Sequence, residues 1–357
     1  IEKLIEKLAV IHVADELKVA RESFLKLVAE LYNMRSSVDS TLFLAKSFYD
    51  RLITAAFDHA LKLLKAEGRK TAPLTFALLV SGELGRGESI LGSSSRFFFI
   101  FQEPDGADRD IINELATNFM VLLAVCFPNI SRNQNKPAAY WFGSDAEWTK
   151  TAAALLTADD SDSRSKPWGK SLALFMETAS DMRVVCGDPD FSQSIITICR
   201  KLLVDCVQKE RFRRYARDMA SMPVPIGVFG RFKTVKTGKN KGKIDLKEMA
   251  IDPLTSAVRI LSLVCGKHEP ASTDRIKSIV ASGDMEVALA NRLLIAYQDF
   301  MREKIRLELT NGSGIDGLFF NPEDLNEEAR ERFRGGFDSV IVLQRIVHQH
   351  LTEVNPG

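Results

Sequence analysis

The sequence predicts an α+β protein that is mostly helical, in which two helical regions flank a small α/β core. Apolar residues recur every three or four positions across residues 1–67 and across most of 191–357, which is the spacing of amphipathic helices. Between these regions, the apolar runs at 74–80 and 97–101 are short and bounded by Gly- and Pro-containing segments, as buried strands are. With 357 residues, of which 45% are hydrophobic, the chain can form a substantial core in two or three domains.

We predict three segments from this pattern. They are a helical N-terminal segment at 1–70, an α/β domain at 71–190 and a helical domain at 191–357. The α/β domain has a helix over 108–126 after its second strand. The helices expected in the C-terminal domain cover 195–219, 253–265, 272–282, 285–309 and 323–354. A β-hairpin is expected at 226–245, and we interpret its basic tip at 233–243 as a solvated turn in preference to a phosphate patch.

The overall charge excludes some classes of partner. Lys and Arg number 48 against 47 Asp and Glu, a formal net charge of +1, so no global field attracts nucleic acid or an anionic membrane. No apolar run reaches the roughly eighteen residues of a membrane span, and no signal peptide precedes the first helix. We therefore expect neither a nucleic-acid nor a membrane partner.

The cysteines and histidines show no ligand pattern along the sequence. The cysteines are Cys126, Cys186, Cys199, Cys206 and Cys265, and the histidines are His12, His59, His268, His348 and His350. An odd number of cysteines on apolar stretches, with no C-x-x-C, argues against a disulfide framework and against a zinc site. The histidines lack ligand spacing and are assigned no chemistry. A reducing cytoplasm is the expected location.

The segment that joins the two predicted core strands carries the candidate site. Residues 81–96 contain glycines at 82, 85, 87 and 92 together with Arg86 and Glu88. Small residues in such a turn let backbone amides approach a phosphate closely. In the strand that follows, residues i and i+2 share a face, so two carboxylates at that spacing can hold the cations of two-metal phosphoryl chemistry.

This segment resembles a known family. Its order of residues is similar to the G-S-x-G-R-x-E turn, D-x-D pair and apolar strand of the signal-transduction nucleotidyltransferases related to the N-terminal domain of PII uridylyltransferase, within the polymerase-beta-type superfamily. The matching residues are Gly82, Gly85, Arg86, Glu88 and Leu91. The resemblance implies a nucleotidyltransferase-type core with a mixed sheet and a bacterial signalling context.

Three positions depart from the family pattern. Glu83 stands in place of the turn serine, and Ser94 and Arg96 stand in place of the two metal-binding aspartates. A hydroxyl is a poor ligand for magnesium and a guanidinium repels it. Two-metal chemistry is therefore expected to fail at this strand.

Two further regions extend the resemblance. Residues 181–188 are similar to the family's D-x-R-x-V-x-G-D stretch, in which Asp181 would supply a third carboxylate. The stretches that resemble the family's helical substrate-binding domain lie at 229–232, 244–247, 253–254, 259–263 and 273–276. The similarity runs in order over about residues 20–350, which makes it more specific than any single motif.

The candidate site residues come from these motifs. The expected nucleotide-binding residues are Gly82, Glu83, Gly85, Arg86, Glu88, Ser94, Arg96, Lys247 and Arg259. No catalytic residue and no metal ligand is assigned, because Ser94 and Arg96 are degenerate and Asp181 alone remains as a remnant.

Second interpretations stay open for most of these residues. The glycines fit a relic phosphate loop or ordinary tight turns, and Arg86 with Glu88 fits ligand contact or an ion pair that fixes the turn. Asp181 fits a local cap or ion pair as well as a metal ligand. Three basic residues of the C-terminal domain fit contacts with a phosphate or partner in a cleft, or else a surface or ion-pair role; they are Lys247, Arg259 and Arg275.

Two hypotheses describe the role of Arg96 at the candidate site. In the first, its fixed positive charge replaces magnesium and binds a nucleotide phosphate without metal and without turnover. In the second, the site is an empty, decayed cleft.

The sequence thus predicts a regulatory signal-transduction protein on a degenerate, catalytically inactive nucleotidyltransferase domain, with a nucleotide and a signalling protein as candidate partners. One alternative is an active uridylyl- or adenylyltransferase that uses Mg2+ and a nucleoside triphosphate to modify a signalling protein. Its metal would be held by Glu83, Glu88, Glu103 or Asp181. The other alternative is a structural module that forms a homodimer through amphipathic helices such as 1–32.

The first residue, Ile1, is not methionine, so we expect further sequence upstream. The resemblance implies cyclic-nucleotide-binding or CBS modules there.

Overall fold

The structure, a computed structural model, describes most of the chain. The described residues are Glu6, Leu8, 14–34, 37–69, 73–92, 95–103, 109–127, 140–157, 172–311 and 318–353. They divide into two compact units, residues 1–202 and residues 203–357. The predicted class, α+β and mostly helical with a mixed sheet, is confirmed. The division into three domains at 70 and 190 stays a prediction.

The N-terminal unit combines helices with four strands. Its elements are α1 Ala14–Asn33, α2 Val38–Ala66, β1 Phe76–Gly82, α3 Glu83–Arg86, β2 Ser95–Phe101, α4 Arg109–Cys126, β3 Tyr140–Ser144, α5 Asp145–Thr157, α6 Leu172–Ser180, β4 Arg183–Gly187 and α7 Pro189–Val207, within which the unit ends. The two strands predicted at 74–80 and 97–101 are β1 and β2. Among the described helices, none is both long enough and apolar enough to cross a bilayer.

The four strands form one mixed sheet in the order β3-β2-β1-β4. The central strand β1 is antiparallel to both of its neighbours, whereas β2 and β3 are parallel. In the register of β1 and β2, Leu79 is opposite Phe98 and Ser81 is opposite Arg96. The candidate site therefore lies where β1 ends and β2 begins.

Helices cover both faces of this sheet, and this is why β1 and β2 read as continuous apolar runs. On one face, the ring of Phe99 lies 5.3 Å from that of Phe57 on α2. On the other, the ring of Phe98 lies 5.6 Å from that of Trp148 on α5. Successive side chains of a strand point to opposite faces, so a strand covered on both sides must be apolar at every position.

Helix α2 is the main support of the first face. It begins after Ser37, whose hydroxyl accepts a hydrogen bond from the Ser40 amide at 3.1 Å, and it ends before Gly68, whose φ of 76° no helix can continue. Helix α1 packs against α2 through stacked rings, with the centroids of Phe24 and Phe48 4.0 Å apart. The N-terminal helices are thus part of the same packed unit as the sheet.

The C-terminal unit is mainly helical. Its elements are α8 Glu210–Ala220, a 3-10 turn Val228–Gly230, β5 Ile244–Asp245, a π-helical turn Lys247–Ile251, α9 Asp252–Val264, α10 Ser272–Ala281, α11 Val287–Asn311, β6 Phe319–Phe320, a second 3-10 turn Pro322–Asp324 and α12 Glu327–Glu353. Helix α9 is its central element, because every residue from Pro253 to Leu263 is buried.

Two local predictions for this region are wrong. The helix expected over 195–219 is two helices, because the extended backbone of Lys209 separates α7 from α8 while the apolar spacing continues across the break. Residues 228–230, expected in a hairpin strand, form a turn in which Phe229 has a φ of 61°. Ile226 and Phe232 form an isolated antiparallel bridge on either side of this turn, and the two-stranded antiparallel sheet among the described residues joins β5 to β6. The loop at 235–243 is closed by backbone hydrogen bonds from Val235 to Lys243 and from Gly242 to Val235, each 2.9 Å.

The aromatic contacts under the sheet predict a large loss of stability for Phe57→Ala. The ring of Phe57 is 1% exposed and lies within 5.3 Å of the rings of Phe76, Phe99 and Phe119. Removing it should lower the free energy of unfolding by about 3–5 kcal/mol, measured by urea denaturation.

Phe43→Ala is the matched control on the same helix, since Phe43 is 67% exposed. We expect it to change the free energy of unfolding by less than about 0.5 kcal/mol. Equal losses in the two variants would show that α2 is not packed on the sheet through Phe57.

Candidate functional site

The candidate site begins at the turn between β1 and β2. Strand β1 ends at Gly82, whose φ of 72° and ψ of −143° form a conformation that only glycine adopts without strain. One helical turn, α3, follows at once and ends at Gly87, which is also left-handed. The expected order of strand, glycine-rich turn, short helix and strand is therefore present.

Gly85 is required by close packing. A Cβ atom added at this position would lie 2.0 Å from the carbonyl oxygen of Asp181 and 3.1 Å from that of Val80. Both obstacles are backbone atoms, which cannot move aside as a side chain can. The glycine of this motif thus lets α3 approach the start of β4 closely.

Arg86 lies at the centre of a buried ion cluster. Its Nε donates to Glu88 Oε2 at 2.6 Å, and its Nη1 donates to Asp181 Oδ2 at 2.5 Å. The side chains of Arg86, Glu88 and Asp181 are 8%, 3% and 1% exposed. Burial acts against the charged guanidinium, but Glu88, Asp181 and Glu83 together raise the pKa of Arg86 well above its usual value.

The D-x-R stretch holds the turn from the other side. Arg183 donates to the carbonyl oxygens of Leu84 at 3.0 Å and Gly85 at 3.3 Å. The same guanidinium forms two parallel hydrogen bonds, at 2.8 and 2.9 Å, with the carboxylate of Asp50 on α2. Arg183 therefore joins α2, α3 and β4.

Arg96 lies at the start of β2, directly opposite Ser81, and is half-buried. Ser81 is fully buried, and its hydroxyl donates to the Thr178 carbonyl oxygen at 2.8 Å. The hydroxyl of Ser95 accepts a hydrogen bond from the Leu84 amide at 3.3 Å. Ser94, the other degenerate position, lies outside the described residues.

The loop after α3 is fixed by the N-terminal helices. The hydroxyl of Tyr49 donates to the Ile90 carbonyl oxygen at 2.6 Å, and Nη2 of Arg21 donates to the Leu91 carbonyl oxygen at 2.9 Å. Both acceptors are backbone atoms of a buried loop, where an unpaired carbonyl would be costly.

Comparison with protein families gives matches over two regions of the chain. Residues 22–162 match the family described as "Putative nucleotidyltransferase DUF294", and residues 209–351 match the one described as "Putative nucleotidyltransferase substrate binding domain". The chain belongs to this nucleotidyltransferase family. Comparison with curated proteins gave no match.

The carboxylates that a nucleotidyltransferase could use in place of the missing aspartates all lie beside arginines. Glu88 and Asp181 are paired with Arg86, and Glu83, which is 6% exposed, raises the pKa of the same arginine. Glu103 is paired with Arg109 at 2.8 Å. Each of these four acids therefore already has a cation close to it.

The basic candidates of the substrate-binding domain differ in burial. Lys247 is half-buried at the first residue of the π-helical turn. Arg259 is 4% exposed on α9, and Arg275 is 2% exposed and donates from Nε to the Glu269 carbonyl oxygen at 2.7 Å. Both arginines lie inside the C-terminal unit, so their interpretation as surface residues is wrong, whereas an ion-pair role stays a prediction.

Sequence reasoning found the motif but missed several residues that hold it. Arg183 belongs to the D-x-R pattern, in which an arginine close to an aspartate suggests an ion pair, but the pattern does not indicate which carboxylate it binds. Asp50, Tyr49 and Arg21 had no local signal, because their partners lie 133, 41 and 70 residues away.

The ion cluster predicts that Arg86→Met is strongly destabilising. Methionine leaves Glu88 and Asp181 buried without their cation, which should lower the free energy of unfolding by about 3–5 kcal/mol. Arg69→Met is the control, since Arg69 pairs with Glu114 at the surface with 51% of its side chain exposed, and it should cost less than about 1 kcal/mol. If chemical denaturation gives similar values for both variants, the cluster does not stabilise the fold.

The close approach at Gly85 predicts that Gly85→Ala is destabilising by about 1–3 kcal/mol or more, because the methyl group overlaps the Asp181 carbonyl. Gly335→Ala on α12 has no atom within 4 Å of the added Cβ and should gain up to about 1 kcal/mol from helix propensity. Thermal unfolding of both variants measures the contrast. A Gly85→Ala protein as stable as the parent would contradict this packing.

Proposed function

We propose that this protein is a regulatory member of the family that binds a nucleotide through its phosphates and does not transfer it. Arg96 carries the proposal, because it lies at the start of β2, opposite Ser81, where the resemblance implies the second metal-binding aspartate. A guanidinium next to the expected metal site repels Mg2+ and attracts phosphate.

The charges around the turn support the absence of transfer. Two-metal catalysis needs carboxylates that are free to coordinate cations. Glu88 and Asp181 are both held by Arg86 in a buried cluster, so recruiting either of them to a metal would break one of the two buried ion pairs. The alternative of an active enzyme with substitute ligands therefore requires the cluster to be broken.

The turn retains features that suit a phosphate. Gly82 and Gly87 give left-handed bends that bring backbone close to the end of β1, and Arg96 adds a positive charge on the neighbouring strand. A phosphate held by Arg96 would need no metal. Nucleotide occupancy would then be the regulatory signal, and a signalling protein would be its recipient.

The match of residues 209–351 to a substrate-binding domain supports the proposal that a partner protein receives this signal. In an active relative, such a domain would present the acceptor to the catalytic core; here it would hold a partner without modifying it. The family description of residues 209–351 motivates this step.

A transfer assay tests the first part of the proposal. Incubation of the purified protein with labelled UTP or ATP, Mg2+ or Mn2+ and candidate acceptor proteins should give no labelled product. Robust metal-dependent transfer that is abolished by Asp181→Asn would establish an active enzyme and overturn the proposal.

Titration calorimetry with nucleoside triphosphates in EDTA tests the second part. Binding should occur without metal, and Arg96→Ala should weaken it by about 10–100-fold, the loss of a charge-assisted hydrogen bond of about 1.5–3 kcal/mol. Arg51→Ala is the control, because Arg51 is exposed on α2. Absence of binding, or equal binding by both variants, would favour the decayed cleft.

The double substitution Ser94→Asp with Arg96→Asp tests whether the position still has the geometry of a metal site. We expect nucleotide binding by this variant to depend on Mg2+, because it restores the two aspartates that the resemblance implies as metal ligands. Metal-independent binding of unchanged strength in the double variant would show that Arg96 takes no part in phosphate recognition.

A further inference from the structure

Three residues of the C-terminal unit, far apart in the sequence, come together at one place. They are Cys265, Asp284 and His350, all half-buried. Their Sγ, carboxylate oxygen and ring nitrogen lie within 4.8 Å of one another. Thiolate, carboxylate and imidazole are the three ligand types that zinc sites use.

Each of the three residues lies at the C-terminal end of a helix. Cys265 is the C-cap of α9, Asp284 follows the end of α10 by three residues, and His350 is in the last turn of α12. Helix C-termini carry partial negative charge from their aligned peptide dipoles. The C-terminal ends of α9, α10 and α12 therefore favour a cation between Cys265, Asp284 and His350.

Neighbouring groups orient two of the ligands. The hydroxyl of Ser282 donates to Asp284 Oδ2 at 2.6 Å. Nδ1 of His350 lies 3.0 Å from the Ile346 carbonyl oxygen, which can only accept, so Nδ1 carries the proton and Nε2 keeps the lone pair. Hydrogen bonds of this kind, from the second nitrogen to a carbonyl, are typical of metal-binding histidines.

We propose that Cys265, Asp284 and His350 form a Zn2+ site, with water as the fourth ligand. Zinc–ligand bonds of about 2.0–2.3 Å in a tetrahedron place ligand atoms about 3.3–3.6 Å apart, so the side chains need to close by about 1 Å. The bound ion would join the ends of α9, α10 and α12. The site is independent of the nucleotide proposal, since all of its residues belong to the C-terminal unit.

Titration of the metal-free full chain with zinc chloride tests the site. We expect one equivalent of Zn2+ to bind and to raise the thermal unfolding temperature, because the ion binds the native arrangement in preference to the unfolded chain. Co2+ in place of Zn2+ should give the thiolate-to-cobalt charge-transfer band in the near ultraviolet, which reports the cysteine directly.

Substitutions of the three ligands and of Ser282 should weaken Zn2+ binding to different extents. Cys265→Ser, Asp284→Asn and His350→Gln should each weaken Zn2+ binding by at least about 100-fold, and Ser282→Ala, which removes only the group that orients Asp284, by about tenfold. His348→Gln, on the same helix, and Cys186→Ser, in the N-terminal unit, are the matched controls and should bind as the parent does.

Two results would overturn the proposal. One is an unmodified chain that binds no Zn2+, and the other is a Cys265→Ser variant that binds as tightly as the parent. Should a ligand variant fail to fold, the cobalt spectrum of the parent decides, because a spectrum without the charge-transfer band excludes Cys265 as a ligand.

Discussion

The buried ion pair network of Arg86 is the constraint on which the candidate site depends. One guanidinium bridges the carboxylates of Glu88, which follows it in the turn, and Asp181, which precedes β4. Removing Arg86 would leave both carboxylates inside the protein without their cation. The turn and the stretch that begins at Asp181 are therefore joined by a buried ion cluster into one structural feature.

These ion pairs affect how the protein could compensate for the two aspartates that the resemblance implies and that the sequence lacks. In an unpaired site, a nearby acid could replace a lost metal ligand with little rearrangement. Here the acids nearest the turn are engaged, and the strand that should supply two carboxylates supplies Arg96. The start of β2 therefore carries a positive charge at a position where metal-dependent transfer would require a carboxylate.

The sequence predicted β1 and β2 because strands covered on both faces are apolar at every position, and it predicted the turn because glycines mark left-handed backbone. It failed where contacts join distant segments. Ile244 pairs with Phe320 and not with the nearer 228–232, and the bidentate contact of Arg183 with Asp50 links residues 133 positions apart. Rules based on ligand spacing did not detect the group of Cys265, Asp284 and His350 for the same reason, because those rules find only ligands that are close together in the sequence.

The contacts of α1 and α2 with the turn have a mechanical consequence. Arg21 and Tyr49 donate hydrogen bonds to carbonyl oxygens of the loop after α3. Asp50 pairs with Arg183, which donates to carbonyl oxygens of α3. A displacement of these helices would distort the backbone of the turn between β1 and β2, and by thermodynamic reciprocity a ligand that tightened this backbone would resist the displacement. The first two helices are therefore mechanically coupled to the turn in both directions.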